Sequence, residues 1–319
     1  MKRFVSIVLC CLLALTAFAG CASAPEADDG RLNVIATVYS EYDWALNIAQ
    51  GTENADLELL LENGVDMHSF QPTADDIIRI SSCDVFIYVG GESDKWVDDV
   101  LKQAVNKDMI VVNLMDVLGD AAKEEETVEG MQPGDEDEDE AAYDEHIWLS
   151  LRNAELCCRA IGKAFEDADA ENAETYRKNT EAYVKKLDEL DKTYADSLGK
   201  AKYDTLIFGD RFPFRYLTDD YNLKYYAAFA GCSADSEASF DTITFLSDKL
   251  NELGLPAILT IEGSDGKIAD SIIRTAHSDA EILTVNSMQR ESAESGKTNG
   301  GYLGIMNSNL GVLLKALGA

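Results

Sequence analysis

Three histidines occur in the 319 residues, and two of them stand where an imidazole could take a metal ion. His68 lies in Gly64-Val65-Asp66-Met67-His68-Ser69-Phe70, and His146 in Tyr143-Asp144-Glu145-His146-Ile147-Trp148-Leu149-Ser150. Imidazole is the commonest metal ligand, and a neighbouring carboxylate fixes which ring nitrogen is free to bind. Asp66 and Asp144 each precede their histidine by two residues, so each is placed for that role. The pattern alone also fits two ordinary surface histidines. His277, near the end of a helical stretch, reads as a residue interacting favourably with a helix C-terminus.

The elements around the pair follow from periodicity. Leu32 to Val38, Asp56 to Leu61, Val85 to Val89 and Ile110 to Asn113 are short apolar runs of strand type. Helical patterns lie between them, at Tyr42 to Gln50, Thr73 to Ser81 and Lys95 to Val105. Strands alternating with helices predict a parallel α/β sheet. Both histidines fall between a strand and a helix, and in open α/β sheets such loops gather at the carboxyl edge, where ligands bind. From Arg152 to Asp167, and again from Ala170 to Leu198, the pattern is helical. Tyr176, Thr180, Tyr183, Leu187, Leu190 and Tyr194 recur three or four residues apart. The second helix spans roughly 40 Å at 1.5 Å per residue. Alternation then resumes, with strands at Thr205 to Phe208, Lys224 to Phe229, Ala257 to Ile261 and Glu281 to Val285. Helices fit Thr242 to Leu253, Gly266 to His277 and Gly301 to Leu317. The fold class is thus α/β, in two lobes, each a mainly parallel sheet flanked by helices, joined by one long linking helix.

The chain begins with Lys2-Arg3, an apolar run from Phe4 to Phe18, and Ala19-Gly20-Cys21. A basic head, a short apolar stretch and small residues describe a secretory signal, and the run is shorter than the roughly 20 residues of a membrane span. Phe18-Ala19-Gly20-Cys21 resembles a bacterial lipobox, in which the cysteine, here Cys21, is lipidated. Residues 21–30 are the polar tether that follows. The expected organisation is a signal over 1–20, an N-terminal lobe over 31–168, the linking helix over 169–200 and a C-terminal lobe over 201–319. Within the first lobe, 123–145 is an acidic segment broken by Pro133-Gly134 and reads as a mobile surface loop. With 59 acidic against 27 basic residues and a net charge of −32, nucleic acid is excluded as a partner, since its binding requires phosphates to be neutralised. Cys83, Cys157 and Cys158 read as small buried hydrophobes. The aromatic cluster from Phe212 to Tyr226 reads as core or cleft wall.

With these residues on the page, the chain resembles the solute-binding proteins of bacterial zinc and manganese ABC importers from about Leu32 to its C-terminus. The family writes Gly-x-Asp-Pro-His-Ser-[Phe/Tyr]-x-Pro-[Ser/Thr] around its first ligand, and here Gly64-Val-Asp-Met-His68-Ser-Phe-Gln-Pro-Thr73 stands there. Its second ligand lies in Asp-Pro-His-[Ile/Val]-Trp-Leu-[Ser/Asp]-Pro, matched by Asp144-Glu-His146-Ile-Trp-Leu-Ser-Leu151. The resemblance therefore implies that His68 and His146 are metal ligands. Two further family ligands are missing. Phe208-Gly209-Asp210-Arg211-Phe212 puts glycine where a His or Glu belongs, and Val285-Asn286-Ser287-Met288 puts asparagine in place of an aspartate. Substitutes nearby are Asp210, the first choice because it sits beside the vacated position, then Glu262 after a strand, and Cys232, which reads first as a buried thiol and second as a thiolate ligand for a soft metal. Glu237 resembles a supporting position. The expected function is an exported lipoprotein, monomeric and without enzymatic activity. It would bind a divalent transition metal, zinc ahead of manganese, between its lobes and deliver it to a membrane ABC permease. Two histidines and a carboxylate also describe an extracellular zinc metallohydrolase, although no His-Glu-x-x-His motif is present. A surface adhesin on the same fold is the third reading.

Overall fold

The computed structural model describes residues 30–62, 64–132, 143–233 and 237–319. The signal, Cys21 and nearly all of the tether lie outside the described residues, as does the middle of the acidic segment. The first sheet comprises β1 (Leu32–Ala36), β2 (Ala55–Leu59), β3 (Val85–Tyr88) and β4 (Ile110–Asn113), in the order β2-β1-β3-β4 with every pairing parallel. The second comprises β5 (Thr205–Phe212), β6 (Lys224–Ala230), β7 (Ala257–Ile261) and β8 (Glu281–Val285), in the equivalent order β6-β5-β7-β8, again all parallel. The α/β architecture of two parallel-sheet domains flanked by helices is therefore as the alternation predicts. Among the described residues no helix is long and apolar enough to cross a membrane.

In the first half the helices are α1 (Tyr39–Ala49), α2 (Ala74–Ser82), α3 (Val97–Lys102), α4 (Leu114–Leu118) and α5 (Leu151–Ala168). The 26-residue α6 (Ala173–Leu198) leads to α7 (Arg215–Asp220), α8 (Phe240–Leu253), α9 (Lys267–Ala276), α10 (Ala293–Thr298) and α11 (Gly301–Ala316). Periodicity misses α4, α7 and α10, which have five or six residues each and are too short to show a repeat. Tyr176, Thr180, Tyr183, Leu187 and Tyr194 of α6 are buried, as their spacing predicts. The stripe packs on α1 and α5 and reaches α11. One core cluster consequently runs from the first sheet through α5 and α6 to α11 and the near side of the second sheet. A smaller one fills the space between β5–β7 and the pair α8, α9. Cys83, Cys157 and Cys158 are free and buried in the larger core.

Strand β5 is longer than the four-residue run expected. It continues to Phe212 through a register shift between Phe208 and Arg211. A bulge adds a residue to one strand and re-aims the side chains beyond it. The shift falls on Gly209-Asp210, which the sequence singles out.

The acidic segment also differs from expectation where it is described. Its flanks are pinned across the second lobe, not left mobile. The Lys123 N–H donates to the Tyr216 hydroxyl, which donates in turn to the Asp144 carbonyl. Glu124 bridges to Tyr143, Arg215 pairs with Glu126, and the Gln132 N–H donates to the Ala228 carbonyl. Backbone groups along 123–132 thus find partners that composition cannot reveal.

One buried carboxylate sits under the first sheet. Glu41 is fully buried, and its Oε2 accepts from Thr37 N–H, Thr37 Oγ1 and Val38 N–H at 2.9, 3.0 and 3.2 Å. Burial outweighs those donors and pushes its pKa up to about 8, and burial likewise raises Asp94 to about 7. Above pH 4.5 the unfolded chain loses the Glu41 proton while the folded chain keeps it, so stability falls with rising pH until about 8. Urea denaturation of metal-free protein between pH 5 and 8 is expected to show this decline, and Glu41→Gln should make it shallower, leaving the share that Asp94 contributes. An equal slope in the variant would assign the effect elsewhere.

Candidate metal centre

His68 lies in a single turn of 3-10 helix, Met67–Ser69, between β2 and α2. Asp66 caps that turn, its Oδ1 accepting the His68 N–H at 3.2 Å. His146 precedes the 3-10 turn Ile147–Leu149, which leads into α5 under a Ser150 cap. The two rings meet edge to face, with their Nε2 atoms 3.1 Å apart. Zinc–nitrogen bonds of about 2.0–2.1 Å at tetrahedral angles place two ligand nitrogens roughly 3.3 Å apart. The pair already has nearly that spacing.

The outer nitrogens are held differently. Asp144 Oδ1 accepts the His146 Nδ1–H at 2.9 Å, which leaves the His146 Nε2 lone pair free, as the Asp-x-His spacing implies. At His68 the spacing misleads. Asp66 does not engage the ring; its Oδ2 pairs with Arg211 at 2.9 Å and Arg290 at 3.4 Å. Ser93 Oγ lies 2.9 Å from His68 Nδ1 instead. Without metal, His68 Nε2–H donates to His146 and Ser93 donates to His68. The other tautomer, with Nδ1–H on Ser93, frees both Nε2 lone pairs for one ion. Burial, and then the neighbouring His146, draw the His68 pKa down to about 3 against the opposing pull of Asp66, so the ring is neutral at physiological pH.

Glu145 is a contributor the sequence reading does not assign. It is buried; its Oε1 accepts the Ser93 N–H at 2.8 Å. Its Oε2 lies 3.7 Å from His68 Nδ1 and accepts no hydrogen bond from the described residues. Burial raises its pKa. Its position directly before His146 is the only sequence signal for it. Trp148, two residues after His146, donates from Nε1 to the Ser287 carbonyl at 2.8 Å and so ties the ligand turn to the second lobe.

Of the C-terminal candidates, Cys232 joins the pair. Its Sγ and one nitrogen from each histidine all lie within 4.8 Å of one another. It follows β6, and its N–H donates to Glu125 Oε1 at 2.9 Å. Burial, then the carboxylates of Glu125, Glu145 and Asp144, push the thiol pKa well up, so a metal must displace its proton to bind there. Glycine suits the preceding position, because a Cβ at Gly231 would stand 2.9 Å from the Phe212 carbonyl oxygen and 3.0 Å from His146 Cε1.

Asp210 and Glu262 stand outside that group. They line, with His68, an adjoining cavity of about 510 Å³. Asp210 accepts from Arg211 N–H at 2.8 Å and Ile261 N–H at 3.3 Å. Glu262 Oε2 accepts the Ser287 N–H at 2.7 Å, and its Oε1 accepts the Ser287 hydroxyl and the Gln289 N–H. Burial raises the Glu262 pKa. Asn286 turns away into its own loop, accepting from Met288 N–H and donating to Glu291. Glu237 is exposed, and His277 is an exposed helix cap with φ 52°. At Gly209 a Cβ would lie 2.7 Å from Ala269 Cα, so α9 occupies the place of the missing ligand.

Two parallel-sheet domains meeting over a buried and a partly buried imidazole, with the candidate ligands His68, His146, Cys232 and Glu262 in connections between elements and Asp210 at the bulge of β5, define a two-lobe solute-binding protein. Residues 34–316 match the family described as zinc-uptake complex component A, periplasmic (ZnuA), and the chain belongs to that family. It is 30% identical over 314 residues to the zinc-binding lipoprotein AdcA of Streptococcus pneumoniae, covering 98% of this chain but 60% of that protein. It is 28% identical to the high-affinity zinc uptake system protein ZnuA of Bacillus subtilis, covering 98% and 96%. Among solved structures, the Zn(II)-bound ZnuA-like domain of pneumococcal AdcA superposes with a TM-score of 0.71 at 26% identity, over 91% of this chain and all of that one. The periplasmic zinc-binding protein TroA of Treponema pallidum, at 20% identity and a TM-score of 0.74 over 91% and 100%, shares the fold.

Restoring the absent family ligand should therefore fail. Gly209→His is expected to cost about 1–3 kcal/mol in urea denaturation by overpacking against Ala269. It should bring no gain in zinc affinity measured against a competing chelator. A tighter-binding, equally stable variant would refute the steric account.

Proposed function

We propose that this protein binds a zinc ion through His68 Nε2, His146 Nε2 and Cys232 Sγ and passes it to a membrane ABC importer. The observation that carries the reading is that Cys232 Sγ and one nitrogen of each imidazole lie within 4.8 Å of one another across the two lobes, with the two Nε2 atoms 3.1 Å apart and both rings held by outer hydrogen bonds. A thiolate favours zinc over manganese, which prefers carboxylate, carbonyl and water oxygen. The fourth position opens toward the cavity that His68 lines, whose wall also carries Asp210 and Glu262 along with Asp66 and Asp265. Transport by a family member with zinc-binding relatives, and not catalysis, accounts for a site in which His146 is fully buried. Export, lipidation at Cys21, attachment outside the cytoplasmic membrane and a monomeric state complete the proposal. Because α6 packs along both lobes, release is proposed to come from loop rearrangement at the site and not from wide hinge opening.

Equilibrium dialysis of the purified protein against buffered zinc and manganese tests this. One zinc per chain is expected, with manganese bound far more weakly. His68→Ala and His146→Ala should each lower zinc affinity at least a hundredfold. Cys232→Ser should weaken zinc and narrow its margin over manganese. Failure to retain zinc at micromolar free metal would overturn the reading, and full affinity in the serine variant would remove Cys232 from the set.

A further inference from the structure

Three protein ligands leave a tetrahedral zinc ion one short. The two positions from which a fourth would come by resemblance are closed, Gly209 by Ala269 and Asn286 by its own turn. The acids on the cavity wall are engaged: Asp210 and Glu262 with backbone N–H groups, Asp265 with Lys267. Beside His68 the balance reverses. Arg211 and Arg290 share a single oxygen of Asp66, and their other guanidinium donors have no partner among the described residues. Arg211 is largely buried, at 14% side-chain exposure, so its planar fork is held in place at the wall of a cavity of about 510 Å³. That volume is far beyond one water and within the range of small-ligand sites. Fixed guanidinium forks match carboxylates.

We infer that the metal is bound together with a small carboxylate chelator, whose carboxylate rests on Arg211 and Arg290 while one of its donor atoms fills the fourth position on the ion. This rests on the metal reading above. It makes the substrate a metal–carboxylate complex, and gives the cavity beside His68 its occupant. A chain with net charge −32 repels a free polycarboxylate, so the anion is held only with its cation.

Native mass spectrometry of the purified protein with zinc and citrate is the test. The expected result is a 1:1:1 protein–zinc–citrate species exceeding protein–zinc alone at equimolar loading, and no citrate retained without zinc. Arg211→Met should reduce the ternary-to-binary ratio at least tenfold while zinc is still bound. Arg290→Met, at a position whose side chain is 42% exposed, should lower it in the same direction. Zinc bound with no citrate, or ternary complex undiminished in both variants, overturns this inference and leaves the metal reading standing. No zinc bound by the parent protein overturns both.

Discussion

Two imidazole rings face each other with their Nε2 atoms 3.1 Å apart, one of them fully buried, and this is the constraint on which the surrounding structure depends. A single ion between them needs both Nε2 atoms aimed at one point, so the protein must hold the rings in place. It does so from outside, with Asp144 on one ring and Ser93 on the other. Ser93 is in turn fixed by Glu145, and Glu145 is the residue before His146. The segment that carries His146 thereby also holds the support of His68. Removing water strengthens these hydrogen bonds and makes any unsatisfied group costly.

The lobes are joined by more than the linking helix. Trp148 reaches from the His146 turn to the Ser287 carbonyl, and Glu262 ties down the same 287–289 turn. The Tyr302 hydroxyl donates to the Trp148 carbonyl, while its N–H is accepted by Asp43, which also accepts from Tyr39 and Tyr183. A chain of buried polar contacts thus runs from the His146 turn through the second lobe to α1 and α6. Glu262 belongs to this frame, which explains why an acid at the correct sheet edge stays out of the ligand group.

Much of the fold was legible because long amphipathic and β-branched runs state their own period. Strand–helix alternation, the buried stripe of α6 and the loop positions of His68 and His146 needed no tertiary knowledge. The short helices α4, α7 and α10 were not legible, since five or six residues hold less than two turns. The pinned flanks of the acidic segment were hidden too, because their partners, Tyr216, Arg215 and Ala228, are distant in sequence.

The sequence by itself determined the chemistry on offer: two imidazoles in family-type settings, an Asp placed to orient one of them, and two vacated ligand positions. Only the tertiary structure decided which groups converge. A β5 bulge and the packing of Ala269 closed Gly209, and backbone donors drew in Asp210 and Glu262. The β6 edge delivered Cys232 to the histidines through a glycine with no Cβ to block it. Side-chain type is local information, whereas coordination needs atoms from separate chain segments within a few ångströms, and that is fixed only when the two sheets pack.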